Sequence, residues 1–154
     1  MTGKAKPIPD GYQAATPYLC VKDAAAAIEF YKKAFGAIEL LRIVGPDGKV
    51  GHAEMKIGNA PIMLSDEYPE MQVVSPQTLG GSSVTIMIFF EDVDALAKQA
   101  VAAGAKLVRQ VEDQFYGDRS GLLEDPFGHR WSVATRKEDM TPEEMRKRAK
   151  ALYG

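Results

Sequence analysis

Apolar residues along the chain follow a strand rhythm and a helix rhythm in turn, and the alternation happens twice. "YQAATPYLCV" has the aromatic and apolar content of a strand, which Pro17 confines to an edge or irregular position because it lacks a ladder N–H. The period then lengthens. "AAAAIEFYKKAFG" carries Ala27, Ile28, Tyr31 and Phe35 at helical spacing, with Asp23 placed to cap its free amides and Gly36 to end it. "AIELLRIVG", "VGHAEMKIG" and "APIMLSD" follow as three short strands parted by the turns "PDGK" and Gly58-Asn59.

Residues 66–83, with two prolines and a Gly-Gly pair, hold no lasting period and read as a linker or lid. The order then repeats. "SVTIMIFF" reads as a buried strand, and Asp92 or Glu91 caps a helix whose stripe is Val93, Leu96, Ala97, Ala100 and Val101, stopped by Gly104. "AKLVRQV", "GDRSGLLED" and "HRWSVAT" supply three more strands, the last two joined by the turn "DPFG". "TPEEMRKRAKALYG" opens on a capping signature and predicts a charged terminal helix with a structural or interface role.

Self-similarity at about 70 residues makes the chain two copies of one βαβββ unit. The expected division is a leader at 1–11, a first module at 12–65, the linker at 66–83, a second module at 84–136 and a helical tail at 137–154. The fold class is α+β, with curved, mostly antiparallel sheets around a cleft. A helix covers one face of each four-stranded sheet, so the other face needs a covering of its own.

Charge and composition narrow the partners. A net charge of −2 with dispersed basic residues argues against a nucleic-acid surface, and the apolar run "VTIMIFF" is far short of a membrane-spanning helix. One cysteine, Cys20, excludes an internal disulfide and points to a reducing cytoplasm. The sequence has no Walker loop, CxxC, GxSxG or HExxH. A small organic molecule is the expected partner.

The segments "YLCVKDAAAAIEFYKKAFGAIEL", "DGKVGHAEMKIGNAPIMLSD", "EDVDALAKQAVAAGAKL" and "FYGDRSGLLEDPFGHRWSVAT" together resemble the glyoxalase / bleomycin-resistance / extradiol-dioxygenase superfamily, the vicinal oxygen chelate proteins, and within it the PhnB-like branch. The resemblance implies a homodimer whose cup-shaped sheets enclose a small-molecule cavity. It also implies four ligand positions in metal-dependent relatives, which fall here on Thr16, Glu54, Thr85 and Glu124. Two of these are threonines where those metalloenzymes carry histidine, and hydroxyls are weak ligands for Ni²⁺ or Zn²⁺. The resemblance therefore implies a binding protein of the drug-resistance type without a metal cofactor. The alternative is a metal-dependent lyase, isomerase or dioxygenase that holds a divalent ion on His52, Glu54 and Glu124.

Residue types refine this. His52 and Glu54 lie two apart on one strand and share a face, as a hydrogen-bonded pair or as ligands. Glu54 and Glu124, if they shared a cavity, would repel each other, and one would hold a proton near neutrality as an acid or base. Glu124 is otherwise a turn residue or a partner of Arg119 or Arg130. Arg119, near Phe115 and Tyr116, suits an anionic substrate group, or else a salt bridge to Asp118 or Asp125. Tyr116 and Trp131 are candidate ligand contacts, although a tryptophan in such a hairpin is more often core. His129 is expected to face solvent with no catalytic role. Met55, Met63 and Met87 are placed as cavity wall or as core filling, and Cys20 as a buried structural thiol.

Overall fold

Pro17 has no amide hydrogen to give a neighbour, although its carbonyl accepts from the Met63 amide at 2.9 Å, and the first strand begins just after it. In a computed structural model, which describes Gly3 and residues 5–154, β1 runs only Tyr18–Val21, shorter than the stretch from Tyr12 that the sequence suggests. Met1, Thr2 and Lys4, part of the expected leader, lie outside the described residues. α1 (Ala24–Phe35) follows, capped by the Asp23 side chain on the Ala26 amide and closed by Gly36 in the left-handed region. β2 (Ile38–Val44), β3 (Val50–Ile57) and β4 (Ala60–Asp66) complete the first unit. α2 (Pro76–Leu79) lies in the linker, before β5 (Thr85–Phe89), α3 (Val93–Ala103), β6 (Lys106–Asp113), β7 (Asp118–Glu124), β8 (Arg130–Arg136) and α4 (Pro142–Tyr153). Asp92, not Glu91, caps α3, and the Thr141 hydroxyl caps α4.

The strands form two four-stranded sheets with the same order, β1-β4-β3-β2 and β5-β8-β7-β6. In each, the first strand pairs parallel with the fourth and the other pairs are antiparallel. α1 and α3 pack against each other. One apolar core spans both units: Tyr31 and Phe35 of α1 lie 5.4 and 4.8 Å from the ring of Trp131 on β8, and Phe30 lies 6.1 Å from Phe127. Aromatic side chains bury large areas, so this seam holds the two units together.

Two buried aspartates anchor the chain at different points of the repeat, Asp66 at the end of β4 and Asp125 in the turn after β7. Asp66 accepts from the Ala24 and Val50 amides at 2.8 and 2.7 Å. Asp125 accepts from the Phe127 and His129 amides at 2.9 Å each, and also from Tyr31 and Trp131. The turn after Asp125 needs Gly128, whose φ is +90° and whose missing Cβ leaves room for Pro76. The linker is thus seated on the terminal hairpin, an attachment strengthened by the Gln77 amide on the Pro126 carbonyl at 3.1 Å.

Three expectations about exposure change. β5 is not buried throughout: Met87 and Phe89 are exposed, while Ile86 and Ile88 turn toward the core. Val101 is exposed on α3, whose buried side is Val93, Leu96, Ala97 and Ala100. His129 is half-buried, its Nε2 2.8 Å from the Cys20 carbonyl, which ties the second unit's turn to β1. Among the described residues no helix is long and apolar enough to cross a membrane.

Candidate functional site

Alternation along a strand decides which side chains leave the core. Leu19, Val21, Ala53, Met55, Ile62 and Leu64 turn toward α1 and are buried. Their neighbours Tyr18, His52, Glu54 and Met63 therefore share the opposite face, where Tyr18 pairs in register with Met63, Met63 with Glu54, and Glu54 with Leu41. Leu41 and Ile43 on this face are exposed, as is Tyr18.

A continuous hydrogen-bonded chain crosses the face. Tyr12, just ahead of β1, donates to Glu54 Oε2 at 2.6 Å. Glu54 Oε1 lies 3.1 Å from His52 Nε2, and His52 Nδ1 lies 2.7 Å from the Tyr18 hydroxyl. The Tyr12 hydrogen bond, followed by that of His52, holds the Glu54 carboxyl below its ordinary value. The same contact raises the Tyr12 phenol, and burial raises that of Tyr18. Glu54 is therefore an ionised acceptor and not the proton-holding acid that a shared cavity with Glu124 would create.

Tyr18 stands between two hollows. One, of about 510 Å³, is lined by Tyr18, Gly51 and Ser65 together with Tyr68, Met71 and Val73 of the linker. The other, of about 440 Å³, is a cleft between the two units that holds Thr16, Tyr18, Ser82, Ile86, His129 and Arg130. Tyr68, Met71 and Val73 thus form one wall of the first hollow.

The second sheet has a corresponding open row. Thr85 pairs with Arg130, Arg130 with Glu124 and Glu124 with Lys106. Arg130 Nε lies 3.5 Å from Glu124 Oε2, one of the two partners the sequence offered for that glutamate. A guanidinium therefore stands beside both Thr85 and Glu124 and lines the cleft with Thr16.

That arrangement does not fit a divalent ion. Both ring nitrogens of His52 and both oxygens of Glu54 are engaged by protein partners, and Arg130 puts a positive charge where Glu124 would have to ligate. The set His52, Glu54, Glu124 is only partly assembled: the first two touch, and the third belongs to the other sheet. Among the described residues, no three His, Cys, Asp or Glu side chains gather as a metal-holding group.

Other candidates have structural employment. Arg119 forks onto Asp94 at 2.7 and 2.9 Å and reaches Asp113 at 3.2 Å, neither of the partners the sequence suggested, so its guanidinium is not presented to an anionic ligand. Trp131 has no exposed surface and donates to Asp125 at 2.9 Å, which makes it core rather than a ligand platform. Tyr116 lies 3.4 Å from the Ser120 hydroxyl and packs edge-on against Phe115, on which Tyr153 of α4 also rests. Met55 is core, whereas Met63 and Met87 belong to the open faces. Cys20 is half-buried, and burial pushes its thiol up to about 11.

The sequence matches the pattern of the family described as the Glyoxalase/Bleomycin resistance protein/Dioxygenase superfamily over residues 13–133. The chain belongs to this superfamily. It is 50% identical over 123 residues to an uncharacterized protein of Mycobacterium tuberculosis, covering 78% of this chain and 72% of that one. The X-ray structure of an Arabidopsis thaliana gene product is 29% identical with a TM-score of 0.64, over 80% of this chain and 98% of that chain. The fold is shared with a genomically encoded fosfomycin resistance protein from Listeria monocytogenes, complexed with Mn(II) and sulfate, at 21% identity and a TM-score of 0.63 over 88% and 96% of the two chains.

Tyr12, Tyr18 and Arg130 are the site residues that sequence reasoning passed over as functional. Neither tyrosine had a local signal, since Tyr18 meets His52 from 34 positions away and Tyr12 meets Glu54 from 42.

Proposed function

We propose that this superfamily member, of the PhnB-like branch, is a small-molecule-binding protein that works without a resident metal ion, in a reducing cytoplasm, as a homodimer. The observation that carries the reading is the open face of the first sheet, where a linked polar chain ending at Tyr18 sits among exposed Leu41 and Ile43 and half-buried Met63, beside a hollow of about 510 Å³. Such a surface suits an organic molecule with an apolar body and one polar group. Arg130, with Thr16 and Thr85 near it, provides a second polar contact for a ligand carrying negative charge.

Pairing of two copies follows from what the sheets leave uncovered. Ile38, Leu40, Leu41, Ile43 and Val44 of β2 are all exposed, as are Met87 and Phe89 of β5. Exposed apolar residues on an edge strand of each sheet mark an association surface. A two-fold axis that brought the open faces of two copies together would close them into a cup.

The test is metal analysis of protein purified without chelators, with calorimetric titration of Ni²⁺, Zn²⁺, Mn²⁺ and Fe²⁺. The expected result is no stoichiometric metal, and small-molecule binding that survives chelator treatment. Stoichiometric metal that is lost in Glu54→Gln or Glu124→Gln would overturn the reading.

A further inference from the structure

The chain Tyr12, Glu54, His52, Tyr18 fixes the protons along it. Glu54, held ionised by Tyr12, accepts and does not donate, so the proton of the neutral His52 ring resides on Nε2, which donates to Glu54 Oε1. Nδ1 is then an acceptor, and the contact at 2.7 Å is a donation from the Tyr18 hydroxyl. Tyr18 has spent its only proton inward. The lone pairs of its oxygen remain, on a side chain that lines both hollows.

We propose that Tyr18, His52 and Glu54 form a proton-accepting relay that recognises a small aromatic or apolar ligand through an acidic hydroxyl of the phenol class. The ligand O–H donates to Tyr18 Oη. As the proton crosses, Tyr18 passes its own proton to His52 Nδ1, so the products are a ligand oxyanion and an imidazolium, with Tyr18 neutral before and after. No other reactant is required. Glu54 balances the imidazolium through the Nε2–H bond, as the acid of a Ser-His-Asp triad does. Tyr18 is the group in contact with the ligand; His52 and Glu54 are positioning residues that act through it.

Around this relay, the titratable groups from neighbouring elements are Tyr12 ahead of β1, Cys20 on β1, and Glu67 and Tyr68 of the linker, with Lys49 over the Tyr68 ring at 5.3 Å. Tyr12, Tyr18, Cys20 and Tyr68 are all raised, so each stays protonated at neutral pH, and His52 is the group in direct contact with the Tyr18 hydroxyl.

This inference rests on the small-molecule reading above, and two probes separate the failure of one from the failure of the other. 4-Nitrophenol, whose oxyanion absorbs in the visible, and 4-nitroanisole, which has the same body without the proton, are titrated into the intact protein. The relay predicts that bound 4-nitrophenol shows the oxyanion band at a pH where free 4-nitrophenol is still protonated, and that it binds about tenfold more tightly than 4-nitroanisole. Tyr18→Phe should abolish the band shift and equalise the two affinities, and His52→Gln should move the band to higher pH. Equal binding of both probes by the unaltered protein, without a band shift, overturns the relay and leaves the pocket. Binding of neither overturns both. A measurement that needs no variant is nitrogen NMR of the two histidines: the relay predicts His52 with Nε2 protonated and Nδ1 bare, and the opposite tautomer contradicts it.

Discussion

Tyr31 donates its hydroxyl to Asp125 across 2.6 Å, in a fully buried contact between the first helix and the terminal turn. Trp131 donates to the same carboxylate oxygen, and two backbone amides occupy the other. One side chain thus satisfies four donors from two units, so each half of the repeat is completed by the other. Asp125→Ala strands all four and is expected to cost about 3–5 kcal/mol, whereas Tyr31→Phe removes one and costs about 1–2 kcal/mol. Urea unfolding followed by the fluorescence of Trp131, the sole tryptophan, checks both. Equal costs would show that the carboxylate does not join the units.

Acid should weaken the fold through two carboxylates held far below their ordinary range. Glu39, gripped by Arg42 and then Lys32, is lowered from 4.5 to about 2, and Glu67, bound by Ser75 and Thr78, likewise. A depressed folded-state value means that the unfolded chain takes up protons first. Stability from these groups is full above the unfolded value of 4.5 and is lost as pH falls from there through about 2. Unfolding free energy against pH should therefore decline across that window, and Glu39→Gln should flatten the decline. An unchanged slope in Glu39→Gln would contradict the assignment.

Cys20 should be a sluggish nucleophile. Burial raises its thiol from 9.0 to about 11, which lowers the thiolate fraction near neutrality about a hundredfold. Iodoacetamide labelling followed by mass is expected to be slow in the folded protein and to reach the ordinary cysteine rate in denaturant. Fast labelling of the folded form would refute the buried-thiol reading.

Two arginines should separate under substitution. Arg130 lines the inter-unit cleft, so Arg130→Ala is expected to weaken an anionic ligand about tenfold; Arg119 is committed to Asp94 and Asp113, so Arg119→Ala should change that affinity by less than about twofold. Titration of both variants with 4-nitrobenzoate decides between them, and the reverse ranking would restore Arg119 as the ligand contact.

Much of the architecture was legible because periodicity and turn chemistry agreed. Asp23 and Gly36 bracket α1, Asp92 and Gly104 bracket α3, and the "DPFG" turn lies between β7 and β8. The repeat itself announced the paired sheets. What stayed hidden depends on contacts distant in sequence. In "GLLEDPFG" attention falls on Glu124, yet the buried acceptor is Asp125, because strand alternation turns Glu124 outward to Arg130. Arg119 meets Asp94 from a helix 25 positions away, which no local pattern encodes. The His52–Glu54 pair was readable from its spacing, while Tyr12 and Tyr18 joined it only once β1 and the residues just ahead of it were placed.

Native mass spectrometry of protein isolated without chelators puts the whole proposal to one reading. The account predicts two chains travelling together with a small organic molecule retained and no stoichiometric transition metal. A single chain holding nickel or zinc, with the metal lost in Glu54→Gln, would contradict it.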